Sequence, residues 1–197
     1  MTSIAAPPTG WRVVDIVLAS VLGVAFGVVF QAWNGAWALV QPIFIGFPPV
    51  QGLMYGIWLV PAVLVPLIVR RPGAALLAET VAAAVSALLG AQWGLQTLVY
   101  GLLQGAAAEL AFAFTLYRSW NLLTAVLAAA FAGAAAVLLD LVFYYPDWSP
   151  TYQLTYGVVV VISTALLAGI GSWLLVRAMA GAGVLNAFPA GSEQAEV

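Results

Sequence analysis

The chain has 197 residues, 64% of them hydrophobic and 6% charged, with a formal net charge of −2. Soluble domains carry about 25% charged residues, so this composition, with a mean hydropathy of +1.08, excludes a soluble fold and indicates an integral membrane protein. The absence of Cys and His excludes disulfides, thiol and His chemistry and most zinc or haem sites, and five scattered Arg without any Lys give no basic patch for nucleic acid.

The opening "MTSIAAPPTGWR" is polar and Pro-rich and lacks the charged region and short apolar core of a signal peptide, so it is expected to be a short mature tail. A membrane-crossing helix needs about 20 mostly apolar residues. Six segments meet this, at 13–32, 52–69, 74–91, 97–117, 121–144 and 153–179. They predict an all-α integral membrane protein with six transmembrane helices in a single domain over 1–180, followed by a cytoplasmic tail over 181–197 that is expected to be disordered.

In the first span, Ala19, Gly23 and Gly27 recur every four residues. Such a small-residue stripe lets another helix approach closely, either within the chain or from a separate membrane subunit. The following "WALVQPIFIGF" (37–47) is too short to cross and is expected to be re-entrant or interfacial. In the third span Glu79 lies in line with Ser86 and Trp93 at i+7 and i+14, marking an inward face.

The fourth span carries two polar or small rows. Gln96, Tyr100 and Gln104 form one, and Thr97, Gly101, Gly105 and Glu109 form the next, about 100° round the helix. Close helix packing accounts for the two glycines, while the glutamines and Tyr100 read as cavity-facing. Glu109 precedes Arg118 by nine residues, roughly 13 Å along the axis. A carboxylate at such depth costs about 2.5–3.5 kcal/mol on insertion scales, so it is either a hydrogen-bonded structural group or a functional one. In the fifth span Asp140 lies one turn below Tyr144, towards the outside. The chain has no cation at mid-depth to pair with these acids, which suits a cationic or amine-bearing ligand.

With six spans, Arg12, Arg70, Arg71, Arg118 and Arg177 all fall on one side, which the positive-inside rule makes cytoplasmic. Both termini are then inside, and 33–51, 92–96 and 145–152 are outside. The outer connections are rich in Trp, Tyr, Gln and Asn. An aromatic belt explains some of these, but the amides that accompany them indicate a polar, aromatic pocket opening outward. There is no Walker motif, no zinc-peptidase motif and no activated Ser, so neither an ATPase nor an enzyme site can be assembled from these residues.

The six-helix plan with inner termini resembles the S components of energy-coupling-factor (ECF) vitamin transporters. The stretches "RRPGAALLAE" (70–79) and "YGLLQGAAAELAFA" (100–113) resemble those of the YkoE-type S components for thiamine or its hydroxymethylpyrimidine precursor. The resemblance implies a vitamin-capturing subunit without enzymatic activity or a resident cofactor. It would work with a transmembrane T component and two ABC-type ATPases in a bacterial-type plasma membrane. It implies a site drawn from Trp37, Trp58, Glu79, Trp93, Gln96, Tyr100, Gln104, Glu109, Asp140, Tyr144 and Tyr156, with 33–51 as a gate. It also makes Ala19, Gly23 and Gly27 a docking face for the T component. The residues alone leave a second reading open, a self-contained small-cation carrier or channel using the intramembrane carboxylates.

Overall fold

The computed structural model describes residues 10–192; most of the expected N-terminal tail and residues 193–197 lie outside them. The chain runs α1 (Val13–Val40), two 3-10 segments (Gln41–Gly46 and Pro48–Leu59), α2 (Val60–Val69), α3 (Ala74–Leu88) and α4 (Gln96–Phe114). It continues with α5 (Leu122–Phe143), α6 (Pro150–Thr164), a π-helical turn (Ala165–Ile170), α7 (Gly171–Gly181) and a short α8 (Pro189–Ser192). Five stretches are long and apolar enough to cross a membrane: Val13–Gly46, Pro48–Val69, Gln96–Phe114, Leu122–Phe143 and Pro150–Gly181. The sixth, Ala74–Leu88, has 15 residues and is about 22 Å long.

The expected spans are all helical, but two boundaries differ for physical reasons. The segment 37–47 is not a separate re-entrant piece. Nothing breaks α1 until Pro42, which has no N–H to continue the ladder, so the α-helix persists to Val40 and tightens into 3-10 geometry. The second crossing starts in the same tight form, with Pro48 and Pro49 at its head. Its Gly52 and Gly56 lie so close to the sixth crossing that a Cβ would meet Val160 at 2.8 Å and Leu167 at 2.5 Å.

α3 packs between α1 and α4 and against α2. Ala74, Ala75, Ala78, Ala82 and Ala83 are all buried, and glycines on both neighbouring helices admit them. On α1, a Cβ at Gly23 would lie 2.8 Å from Val81, and one at Gly27 would lie 2.5 Å from Val85. On α4, a Cβ at Gly101 would collide with the Ala83 side chain, and one at Gly105 would lie 3.0 Å from the Leu76 backbone. The stripe of Ala19, Gly23 and Gly27 is therefore spent inside the chain, under α3, and is not an open docking face. The exposed face of α1 is instead built of Val13, Ile16, Val17, Val21, Val24 and Val28.

The segment after Gly181 also departs from expectation. Leu185, Phe188 and Ala190 are buried in the main core, so the chain folds back across the bundle end instead of trailing away. The Arg12 guanidinium donates to the Ala187 carbonyl at 3.3 Å and lies 5.9 Å from the Phe188 ring. Both ends of the described chain thus meet at the arginine end.

The close approach of α1 to α3 makes Gly27→Val an overpacking change, expected to cost about 1–3 kcal/mol. Thermal unfolding in detergent should show a lowered midpoint for Gly27→Val and little change for Val24→Ala on the exposed face.

Candidate ligand-binding cavity

A cavity of about 290 Å³ opens at the end of the bundle opposite the arginines. This is near the lower limit of the ~300–1,000 Å³ typical of small-molecule sites. α1 contributes Phe30, Asn34 and Trp37 to its wall, and the 3-10 segments add Gln41, Tyr55 and Trp58. α3 contributes Glu79, Ala83 and Ser86. Trp93 follows in the turn, then Thr97, Tyr100, Gly101 and Gln104 of α4, with Asp140, Tyr144, Tyr145 and Tyr156 closing the far side.

One wall is organised around Trp58. Its indole N–H donates to Asn34 Oδ1 at 2.9 Å, and Asn34 Nδ2 reaches Ser86 Oγ at 3.4 Å. Trp37, Tyr55 and Trp93 meet the same ring edge-on at centroid distances of 5.9, 5.5 and 5.7 Å. Edge-on packing is the favoured arrangement of aromatic quadrupoles, so four rings from three parts of the chain hold one another in fixed planes.

The opposite wall is organised around Asp140. The Tyr100 hydroxyl donates to Oδ1 at 2.6 Å and the Tyr156 hydroxyl to Oδ2 at 2.5 Å. These phenol donors satisfy the buried carboxyl group, and no guanidinium lies beside it among the described residues. Tyr145 stacks on Trp148 at 4.0 Å and accepts from Gln51 Nε2 at 2.9 Å. Burial first, then the Asp140 charge, pushes the Tyr145 hydroxyl up to about 12 and raises Tyr144 as well, so both remain neutral donors at ordinary pH.

The floor lies about 12 Å below the outer end of α4, where Gln104 and Glu79 meet the cavity. Gln104 is buried and makes no side-chain hydrogen bond among the described residues, so its amide faces the cavity with donor and acceptor available. Nearer the mouth, Thr97 Oγ1 is buried without a partner among the described residues. Glu79 Oε2 accepts from the Ala62 N–H at 3.1 Å. That donor is an orphan of the α2 start, where 3-10 geometry gives way to α.

Of the expected site residues, Trp37, Trp58, Glu79, Trp93, Tyr100, Gln104, Asp140, Tyr144 and Tyr156 come together on this wall. Gln96 does not line it; it supports the rim by accepting from the Tyr144 hydroxyl at 2.7 Å. Glu109 is also absent from the cavity. Its carboxylate accepts from the backbone N–H groups of Gly73, Ala75 and Leu76 at 2.6, 2.9 and 3.4 Å. The helix start it covers has no side-chain cap of its own. The α4 row of Gly101, Gly105 and Glu109 runs antiparallel along α3, so the residue one turn beyond Gly105 lands on the exposed donors of the α3 N-terminus. The Tyr117 hydroxyl also binds Glu109, and burial followed by that carboxylate's charge pushes it up to about 12.

The turn that Glu109 holds, "RRPG", is fixed from two further directions. Arg71 Nε donates to the buried Asp15 at 2.9 Å, and the Trp11 indole donates to the Pro72 carbonyl at 3.0 Å. Asp15 is shared with Arg12 at 2.6 Å.

Sequence reasoning missed Phe30 and Tyr55 as wall residues. Phe30 follows Gly23 and Gly27 on the buried face of α1, so continuing that face one turn finds it. Tyr55 sits between Gly52 and Gly56 and carried no comparable signal, because 3-10 geometry changes which side it faces.

Apolar helices around a cavity at the end opposite the arginines, walled by aromatics and floored by amide and carboxyl groups, are the arrangement of a membrane-embedded substrate-binding subunit. The family model described as "ABC-type cobalt transport system, permease component" matches residues 14–135. YkoE, the proposed HMP/thiamine permease protein of Bacillus subtilis (strain 168), is 36% identical over 186 residues, covering 93% of this chain and 92% of that one. A crystal structure of an S-component of an ECF transporter superposes with a TM-score of 0.90 at 34% identity, over 95% of this chain and 94% of that one. The chain belongs to this transport family, as an S component of the YkoE type.

The position of Glu109 predicts a structural phenotype. Glu109→Ala should lower the unfolding midpoint in detergent, by about 1–3 kcal/mol for stranded backbone donors. Affinity for a ligand of the outer cavity should stay within twofold of wild type.

Proposed function

We propose that this subunit captures thiamine or its hydroxymethylpyrimidine precursor in the outer cavity and delivers it to a T component and two ABC-type ATPases. The observation that carries this reading is the Asp140 carboxylate, donated to by Tyr100 and Tyr156 and facing an aromatic enclosure. The thiazolium of thiamine is a delocalised cation. It gains from a carboxylate and from ring faces, the latter worth about 2 kcal/mol when desolvated. The aminopyrimidine carries donors and acceptors along one edge, and Gln104 and Glu79 offer complementary groups at the floor. Two aromatic clusters, about Trp58 and about Tyr145, stand on either side of a planar ligand.

The similarity to a proposed HMP/thiamine permease supports this reading, as does the absence of His and Cys. The family description refers to cobalt, but imidazole and thiolate are the ligands that favour late first-row metals. The ATPase activity belongs to the partner subunits, and the membrane is the bacterial inner membrane. A self-contained carrier would need a carboxylate path through the bilayer. Glu109, the acid beyond the cavity floor, is instead occupied with the α3 N-terminus.

Titration of the purified protein by tryptophan fluorescence tests the ligand. Thiamine or hydroxymethylpyrimidine should quench emission saturably, because four tryptophans lie in or beside the cavity rings. Asp140→Asn should weaken thiamine at least tenfold, on the scale of a lost charged interaction, and weaken the uncharged pyrimidine much less. Gln104→Leu should weaken both. No response to either compound would reject the ligand assignment.

A further inference from the structure

The ionisable side chains that line the aromatic cavity are Glu79, Asp140 and five tyrosines. Acids and phenols are either neutral or negative, so none of them can offset an anion, whatever its protonation. Lys and His are absent from the whole chain, and all five Arg fall within the described residues. The residues outside that range therefore add no basic side chain. The Arg nearest to a lining acid along the chain, Arg71, precedes Glu79 by eight residues, roughly 12 Å of helix. It donates to the buried Asp15 at 2.9 Å, and Asp15 does not line the cavity. The backbone does not supply the missing charge either. Helix starts attract anions through free N–H groups, and α4 and α6 both begin at the cavity end. On α4 the Thr97 and Leu98 N–H groups donate to the Gly94 and Leu95 carbonyls at 3.2 and 3.0 Å. On α6 Pro150 has no N–H, and the Tyr152 and Gln153 N–H groups go to Ser149 Oγ and the Ser149 carbonyl at 3.4 and 3.0 Å.

We infer that the cavity takes its ligand only in the unphosphorylated form, as a cation or a neutral molecule, and rejects phosphate esters of it. This rests on the capture of thiamine or hydroxymethylpyrimidine proposed above. A phosphate monoester carries a charge of about −1.5 to −2 at pH 7 and several acceptor oxygens. Taking such a group out of water is costly unless a countercharge and hydrogen bonds replace the water. Gln104 and the other neutral donors offer hydrogen bonds but no charge. Asp140 and Glu79 add repulsion whenever they are ionised. A cavity of about 290 Å³ also has little room for a hydration shell around a phosphate. The captured molecule must then arrive free of phosphate. The class of reaction that supplies it from its esters is a hydrolysis on the side from which the cavity fills. In that step water takes the phosphoryl group to inorganic phosphate and the alcohol is released.

Fluorescence titration of the purified protein tests this with thiamine, thiamine monophosphate, O-acetylthiamine and hydroxymethylpyrimidine as probes. Thiamine monophosphate should bind about tenfold or more weakly than thiamine, the consequence of an unpaired anion in a desolvated site. O-acetylthiamine, an uncharged extension at the same oxygen, should stay within about threefold of thiamine. Gln41 is an exposed member of the cavity lining. Gln41→Arg should narrow the gap between thiamine and its monophosphate by about threefold, the scale of an exposed ion pair. Equal affinity for thiamine and its monophosphate would overturn the selection and leave the ligand assignment standing. Equal weakening by acetyl and phosphate would also overturn it, because the limit would then be size. A gap unmoved by Gln41→Arg, in a variant that still binds thiamine, would do the same. If neither thiamine nor hydroxymethylpyrimidine bound, the ligand assignment itself would fall, and this inference with it.

Discussion

The fold depends on enclosing a short alanine helix without leaving its backbone donors unsatisfied. α3 has 15 residues, and its buried face is almost all alanine, so it is held by close contact with its neighbours. Glycines on α1 and α4 permit that contact, since small residues are what bring helix backbones together where lipid removes the hydrophobic drive between them. The first N–H groups of such a helix cannot turn to water once they are buried, and Glu109 supplies the acceptors. The carboxylate that is costly in a membrane is thereby matched to donors that are equally costly unpaired.

The same turn ties the arginine end together. Pro72, Gly73 and Arg71 are held by Trp11, Glu109 and Asp15 respectively, and Asp15 passes the connection to Arg12 and so to the C-terminal fold-back. The ion pairs cluster where charges are cheapest, and the other half of the bundle is left to a cavity. In that cavity the polar groups are spaced by aromatic rings. Trp58 and its three aromatic neighbours stand on one side, with the Asp140–tyrosine group on the other.

Departures from regular α geometry fall beside this cavity and the sixth crossing. The 3-10 segment Pro48–Leu59 aims Tyr55 and Trp58 at the site, and Gly56 rests on Ser163 and Leu167 at the π-helical turn. Overwinding on one crossing and underwinding on its neighbour are the kinds of irregularity that accompany functional sites. Here they let two helices approach while still presenting aromatics inward. The Gly56 N–H and the Leu53 carbonyl both bind Ser163 Oγ, so the backbone groups affected by the irregular geometry are answered by a side chain.

The sequence by itself determined the class, the apolar helices and the end of the bundle, opposite the arginines, at which the cavity lies. Those properties follow from hydropathy, from five arginines that share one side, and from polar rows on a helix of known pitch. It also placed Gln104 and Asp140 on the side of the pocket. What it left open was which helix each small-residue row would meet. Gly23 with Gly27, and Gly101 with Gly105, have the same signature whether the partner is another subunit or α3. Only the packing assigned both rows to α3. Glu109 was open for the same reason: periodicity fixes the face of a helix on which a residue lies, whereas its hydrogen-bond partner depends on how a second helix ends beside it. The tertiary structure decided that partner, moving Glu109 from the ligand to the α3 N-terminus, and it folded 185–190 onto a core where hydropathy had shown only a tail.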